Sequence, residues 1–163
     1  MSVSGVINTH FIVAYLLRQH GTQEQKEYYL PRMATGEVRG AFSMSEPGLG
    51  SDVAAIRTKA TKNADGDYTI NGQKMWLTNG GSSTLVAALV RTDEGAERAH
   101  ENLTTFLIEK PAGFGEVKPG LTIPGKIDRF WWAFSAPSSV RTSAATRVEL
   151  PPLVSHIFWP LIV

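Results

Sequence analysis

The stretch YTINGQKMWLTNG, residues 68–80, decides the fold. Tyr68 to Ile70 and Gln73 to Thr78 have the character of β-strands. Asn71-Gly72 between them is the strongest short-range signal for a β-hairpin, because both residues tolerate the positive φ of a tight turn. The sequence therefore predicts two short strands joined by this turn.

The second of these strands carries an unusual pair of side chains. Alternate residues of a strand share a face, so Lys74, Trp76 and Thr78 are expected on one face and Met75 and Leu77 on the other. A Trp beside a hydroxyl suits a planar heteroaromatic ring with polar edge atoms. A half-buried Trp in a barrel core is the commoner use of this residue, so the segment taken alone favours that interpretation over a ligand site.

Strand and turn signals continue on both sides of this stretch. Several short strands separated by turns favour a small β-barrel or sandwich. The segments concerned are a turn at Asn63 to Asp67, strands at Leu85 to Arg91, Leu103 to Glu109 and Leu121 to Ile123, and a polar loop at Thr92 to Asn102.

Two helices are predicted ahead of the strands. The first covers Val6 to His20, where apolar residues at helical spacing form one face. The second begins after Thr22, whose spacing to Gln25 is that of a capping box. It is expected to end near Leu30, because Pro31 disfavours a helical residue before it. The apolar residues of the first helix are Ile7, Phe11, Ala14 and Leu17.

Composition limits the classes of function. The net charge of +1 gives no electrostatic footprint for nucleic acid. The absence of cysteine excludes disulfides and thiolate metal sites, and the four histidines lack metal-ligand spacing. No run reaches the roughly 20 apolar residues of a membrane helix, and the N-terminus lacks a signal-peptide pattern. We therefore expect a cytoplasmic protein without a membrane span or a metal site.

A glycine-containing loop, SEPGLGSD at residues 45–52, precedes the strands. Glycines let a backbone approach a ligand closely, and Ser45 and Ser51 add hydroxyl groups. Taken alone, the loop is better explained as a plain surface turn. Together, however, Phe42 to Asp52 and Asn71 to Gly80 resemble the middle domain of the acyl-CoA dehydrogenases. The resemblance runs from the two helices to about Asp128.

The resemblance implies a fold and a cofactor. The fold is mixed α and β, with a short helical segment followed by an antiparallel β-barrel, and FAD lies at the junction between domains. Phe42, Met44 and Ser45 match positions that contact the flavin ring, and the Ser45 hydroxyl matches a group on its pyrimidine edge. Gly50 and Ser51 match diphosphate contacts, and Ser51 also lies near the path of bound acyl-CoA.

The second motif supplies the rest of the implied site. Trp76 matches a Trp that packs against the isoalloxazine, and Thr78 matches a hydroxyl at its hydride-accepting nitrogen. Leu77, between them, is included among the cofactor-binding residues. Glu46 and Asp52 belong to the first motif and are interpreted as loop-shaping rather than catalytic.

The implied reaction is the FAD-dependent α,β-desaturation of an acyl-CoA thioester, as in fatty-acid β-oxidation, often with an electron-transfer flavoprotein as electron acceptor. The catalytic Glu of this family comes from a C-terminal helical domain, which nothing here matches. We therefore expect a fragment that lacks this domain and its base and is inactive alone, unless a homo-oligomer or a complementing subunit completes it. The alternative is a non-catalytic remnant or a partner-binding β-barrel module.

The end of the chain differs in composition from the rest. Phe130 to Val163 contains three of the four tryptophans and none of the fifteen glycines. We predict three segments: residues 1–36 as the end of a helical domain, residues 37–129 as a flavin-binding barrel, and residues 130–163 as an atypical tail. The tail is either a docking segment or the product of a shifted reading frame. One hypothesis is that it replaces a missing strand or mediates self-association.

Overall fold

The computed structural model describes residues 3–92, 102–123, 133–142 and 147–148. Two helices precede the strands, and a 3-10 turn, Val53–Ala55, separates the first two strands. The helices are α1 (Val3–His20) and α2 (Gln23–Thr35). The strands are β1 (Gly40–Ser43), β2 (Lys59–Lys62), β3 (Tyr68–Met75), β4 (Leu85–Thr92), β5 (Leu103–Glu109), β6 (Gly115–Lys118), β7 (Leu121–Ile123), β8 (Ala133–Thr142) and β9 (Arg147–Val148).

The strands form one sheet in the order β6-β7-β8-β3-β2-β4-β5-β9, with β1 also on β4. The predicted class, helices followed by a barrel-like sheet, is confirmed. Most strand pairs are antiparallel, as expected, whereas β1 and β2 both run parallel to β4. On β4, the partner of Ser43 is Ala88 and the partner of Lys59 is Arg91. Residues 44–58 therefore connect two points that only residues 89–90 of β4 separate. Most of the first motif, Phe42 to Asp52, therefore lies in a connection that leaves the sheet between β1 and β2. We call this connection, residues 44–58, the excursion.

Two hydrophobic cores lie on opposite sides of β4. Because side chains alternate along a strand, Val86 and Ala88 enter one core while Leu85 and Ala87 enter the other. The barrel core contains residues of both β4 and β7, although three strands separate these two in the sheet, so the sheet curls around the core. The barrel core contains Ala41, Ala60, Tyr68, Ile70, Leu77, Val86, Ala88, Val90, Phe106, Ile108, Leu121 and Ile123. The helix core contains Val13, Leu17, Tyr29, Met33, Leu85, Ala87 and Leu107.

The predicted hairpin turn at Asn71-Gly72 is wrong. Both residues lie within the continuous strand β3, where Gly72 has a φ of 151° beside an irregularity in the pairing with β8. The β2–β3 hairpin turns at Asn63 to Asp67 instead, as the turn cluster predicted, with Gly66 at a φ of 90°. Gly72 is needed for close approach, because a Cβ there would lie 2.6 Å from the Cα of Thr58.

The first helix is where predicted, but its buried face is not. Ile7 and Phe11 are exposed, and Val13 and Leu16 are buried along with Leu17. The helix turns Val13 toward the sheet because Gly40 of β1 leaves room for it. A Cβ at Gly40 would lie 2.9 Å from the Cβ of Val13.

The second helix confirms the capping box at Thr22 and Gln25. Its predicted end near Leu30 is wrong, because the helix continues through Pro31 to Thr35. A proline removes one backbone donor from a helix, and here the following turns pack Met33 into the helix core. Gly36, in the left-handed conformation, ends the helix.

His10 and Asn79 join the helices to the sheet. Nδ1 of His10 accepts a hydrogen bond from the Gly40 N–H at 3.1 Å, and its Nε2 lies 3.2 Å from the Met33 carbonyl oxygen. Because a carbonyl only accepts, Nε2 carries the proton. Asn79 donates from Nδ2 to the carbonyl of Val6 at 2.9 Å. The helical segment is therefore held to the sheet through polar contacts as well as through the helix core.

Part of the compositionally distinct tail enters the sheet. The backbone of β8, Ala133–Thr142, pairs with β3 on one side and touches β7 on the other. The hypothesis that the tail replaces a missing strand requires a strand from these residues, and β8 is such a strand. Two further residues of the tail form β9, Arg147–Val148, whose backbone pairs with β5. The other residues of the tail, and residues 93–101 of the loop predicted at Thr92 to Asn102, lie outside the described residues. Within the described ranges, neither helix has the length and apolarity needed to cross a membrane.

Candidate functional site

The two sequence motifs lie side by side. The Met75 N–H donates to the Ser45 carbonyl at 2.9 Å, and Nζ of Lys74 donates to the Met44 carbonyl at 3.0 Å. These bonds fasten the start of the excursion to the end of β3. The structure therefore brings Met44 and Ser45 next to the segment that carries Trp76.

Glu46 closes the excursion at its other end. Its carboxylate accepts from the N–H groups of Arg57 and Thr58, at 2.8 and 2.9 Å, and from Nζ of Lys74 at 2.8 Å. Its backbone also exchanges two hydrogen bonds with Leu49, around a turn in which Gly48 has a φ of 77°. The interpretation of Glu46 as a loop-shaping residue is confirmed by these contacts.

The Glu46–Lys74 pair is buried and charged. Burial by itself raises the pKa of Glu46, but hydrogen bonds from Lys74 and from the Arg57 and Thr58 segment outweigh it and hold this pKa below its ordinary value. Burial lowers the pKa of Lys74 to about 8, although its bond to Glu46 acts in the opposite direction. Near neutral pH Glu46 is therefore a carboxylate and Lys74 an ammonium, and each is hydrogen-bonded to backbone groups as well as to the other.

Trp76 breaks the strand pattern predicted for it. β3 ends at Met75, and Trp76 has a φ of 56°, in the left-handed region that non-glycine residues rarely adopt. Lys74 is consequently buried while Trp76 is 41% exposed, so the predicted shared face of Lys74, Trp76 and Thr78 is wrong. Leu77 points into the barrel core. Only its backbone is therefore in a position to meet a ligand outside the core.

The other predicted site residues divide into two groups. Thr78 is half-buried. The next residue, Asn79, donates from Nδ2 to the Gly40 carbonyl at 3.5 Å, so this end of the second motif lies near β1. Phe42 of β1 is half-buried against the helix core. Gly50 and Ser51 are exposed on the excursion.

Gly50 has no evident structural reason to be glycine. Its φ lies outside the left-handed region, and a Cβ added to it would meet no atom within 4 Å. Gly48, two residues earlier, has the positive φ that its turn requires. Open space beside Gly50 is what close approach of a ligand to the backbone would need.

Comparisons with known proteins agree with this architecture. The family described as "Acyl-CoA dehydrogenase, middle domain" matches residues 41–130, more than half of the chain. The chain belongs to the acyl-CoA dehydrogenase family. The family's N-terminal domain matches residues 1–37.

Relatives within the acyl-CoA dehydrogenase family show how much of the fold is shared. A mitochondrial isovaleryl-CoA dehydrogenase of Oryza sativa subsp. japonica is 42% identical over 113 residues, which are 69% of this chain and 25% of the relative. A crystal structure of an acyl-CoA dehydrogenase from Geobacillus kaustophilus superposes with a TM-score of 0.80 at 29% identity, covering 92% of this chain and 39% of that one. The chain thus spans only a quarter to two-fifths of their length.

A third relative bears on the cofactor. A glutaryl-CoA dehydrogenase from Mycobacterium smegmatis, solved in complex with FADH2, superposes with a TM-score of 0.71 at 28% identity over 88% of this chain and 35% of its own. In the present acyl-CoA dehydrogenase-family chain, the residues fit a flavin dinucleotide in two respects, one for its ring and one for its diphosphate. The large indole of Trp76 is partly exposed at the end of β3, and the Gly50 backbone is open to approach.

Sequence reasoning missed Lys74 as a site residue. It was assigned to the face of Trp76, whereas it is fully buried and bonded to the loop of the first motif. The available signal was chemical: a lysine inside a strand needs a partner if its side chain is buried. Glu46 was the acid in the neighbouring motif.

Proposed function

We propose that this chain forms a half-site for FAD and belongs to an enzyme that desaturates an acyl-CoA thioester between its α and β carbons. The observation that carries the proposal is the bonding of Met44 and Ser45 to the end of β3, beside the partly exposed Trp76. The FADH2-bound relative supports the choice of cofactor.

The proposed roles follow the position of each residue. Trp76 offers an aromatic surface for the flavin ring, and Ser45 and Thr78 offer hydroxyls to its polar edge. Gly50 and Ser51 hold the diphosphate, and Ser51 also lines the path of acyl-CoA. The neighbouring residues Phe42, Met44 and Leu77 complete the set, Leu77 through its backbone. Bound flavin supplies the hydride acceptor for the reaction, whereas the chain binds it, orients it and shields it from water.

Three further elements belong to the proposal. The general base is supplied by residues beyond the two family matches, in this polypeptide or in a second subunit. The electron acceptor is an electron-transfer flavoprotein. The division at residues 36 and 129 separates the helical, flavin-binding and tail segments. The cytoplasmic location stays a prediction, and the rice relative carries a mitochondrial name.

Titration of the purified, flavin-free chain with FAD tests the proposal. We expect one FAD per chain, with a shifted and structured flavin absorption band, because aromatic packing and edge hydrogen bonds alter the surroundings of the ring. Trp76→Ala should weaken binding by about tenfold or more, since aromatic contacts and lost apolar area together exceed about 1.4 kcal/mol. Wild-type chain that stays flavin-free at high FAD would favour the alternative, a non-catalytic remnant.

Gly50→Ala separates ligand contact from folding. A Cβ at this position meets nothing in the chain, so the thermal midpoint should stay within about 1 °C, as for an ordinary surface change. FAD affinity should fall by about tenfold, because the added methyl occupies the space into which the diphosphate fits. Thr61→Ala, at an exposed residue of β2 outside both motifs, is the control and should leave affinity unchanged. Equal affinity in both variants would contradict a diphosphate role for Gly50.

A further inference from the structure

A buried lysine lies beneath the loop that carries Met44 and Ser45. The side chain of Lys74 is fully buried, and its ammonium donates both to the Met44 carbonyl and to the carboxylate of Glu46. Burying a charge is costly even when it is paired, and an apolar replacement often does as well or better for stability. Stability alone is therefore a weak reason for a lysine at this position.

The bond to Met44 fixes the direction of a peptide group. The described peptide bonds are all trans, so the Met44 carbonyl and the Ser45 N–H point in opposite directions. With the carbonyl held on Lys74, the Ser45 N–H is turned away from the buried side of the loop. The next peptide behaves in the same way, because the Ser45 carbonyl accepts from Met75 while the Glu46 N–H turns outward to Leu49.

We propose that Lys74 is a positioning residue for the cofactor site. By holding the Met44 carbonyl and the Glu46 carboxylate together, it keeps the Ser45 N–H facing out of the loop as a donor to an acceptor atom on the edge of a planar heteroaromatic ring. The inference rests on the proposed FAD-binding function. It adds that the orientation of the first motif depends on a side chain from the second.

Lys110 provides a matched comparison. Its Nζ donates to the carbonyls of Ser83 and Pro111, at 2.8 and 3.1 Å, and its side chain is also buried. Burial lowers its pKa to about 8, as for Lys74. Neither of its two partners is a proposed cofactor residue. Lys110→Met therefore reproduces the loss of a buried lysine without touching the loop.

The first test compares FAD affinity in the two variants. Lys74→Met should raise the dissociation constant about tenfold, because a hydrogen bond that orients a ligand-binding group is lost. Lys110→Met should leave the dissociation constant of the folded protein for FAD unchanged. Equal affinities in Lys74→Met and Lys110→Met would overturn the proposal.

A double variant separates positioning from stability. Lys74→Met alone leaves the Glu46 carboxylate buried without its cation, whereas Glu46→Gln in the same chain removes that charge. We expect Lys74→Met/Glu46→Gln to recover part of the lost thermal midpoint but none of the lost FAD affinity, since the Met44 carbonyl is still not held. Recovery of both together would assign Lys74 a purely structural role.

Amide hydrogen exchange in the flavin-free chain provides a readout that needs no cofactor. The Glu46 amide donates to the Leu49 carbonyl, and the Met75 amide donates to the Ser45 carbonyl. Both amides should exchange at least tenfold faster in Lys74→Met than in Lys110→Met. If wild-type chain binds no FAD, the proposed function fails, and this comparison still decides whether Lys74 holds the loop. Unchanged exchange would overturn the positioning role.

Discussion

Replacing Glu46 with alanine is expected to lower the free energy of unfolding by about 3–5 kcal/mol, the cost of removing one partner from a buried ion pair. The substitution leaves the Lys74 ammonium buried with only the Met44 carbonyl as a described partner. It also takes the acceptor from the N–H groups of Arg57 and Thr58. Urea denaturation of the full chain measures the loss.

The exposed acid Glu37 is the control for this prediction. Glu37 forms an ion pair with Arg32 at 3.6 Å, but the side chains of Arg32 and Glu37 are 39% and 69% exposed to solvent. Such a surface pair contributes about 0–1 kcal/mol, so Glu37→Ala should scarcely change the urea midpoint. Similar losses in Glu37→Ala and Glu46→Ala would contradict the importance of burial.

Acid should act on the same pair. The pKa of Glu46 is lower in the folded chain than its ordinary value of 4.5, so its carboxylate stabilises the fold fully above that pH. This contribution is lost as pH falls below 4.5 through the folded-state pKa. The difference in unfolding free energy between wild type and Glu46→Ala should therefore narrow progressively in acid.

Gly72→Ala is expected to destabilise the chain by about 2–4 kcal/mol, through strain at a sparsely populated φ and overpacking. The added Cβ would lie 2.4 Å from Oγ1 of Thr58 and 2.6 Å from its Cα. Because one of these atoms is backbone, rotation of a side chain cannot relieve the clash. The φ of 151° adds conformational strain.

Gly66→Ala separates these two causes. Gly66 also has a positive φ, 90°, but a Cβ there meets nothing within 4 Å. Its replacement should cost only about 1 kcal/mol, the backbone part of the penalty. Thermal unfolding of both variants gives the comparison, and equal losses would show that packing against Thr58 is unimportant.

Local signals predicted the features that local interactions determine. The capping box at Thr22 and Gln25 and the turn at Asn63 to Asp67 involve residues within four positions of each other, and both were predicted correctly. Asn71-Gly72 carried an equally strong local signal, yet pairing with β8 and contact with Thr58 keep it within a strand. Tertiary contacts decided that position, and they are not visible in a short window of sequence.

The candidate site shows the same limit. The two motifs were expected to cooperate, and bonds from Lys74 and Met75 bring them together. The prediction that alternate residues share a face nevertheless failed at Trp76. The left-handed backbone of Trp76 ends the strand, so that Met75 is the last residue of β3. The partner of Lys74 lies 28 residues away, so no spacing rule could reveal that this lysine is buried.

The pairing of β8 with β3 has a consequence for how the chain acquires its shape. Met75, whose N–H donates to the Ser45 carbonyl, lies opposite Ala133. During synthesis from the N-terminus, β1 to β5 are available well before β8 leaves the ribosome. Pairings between such distant segments form late because closing a long loop costs entropy first. Until β8 has emerged, β3, which carries the residues bonded to Met44 and Ser45, is therefore paired along only one of its two edges.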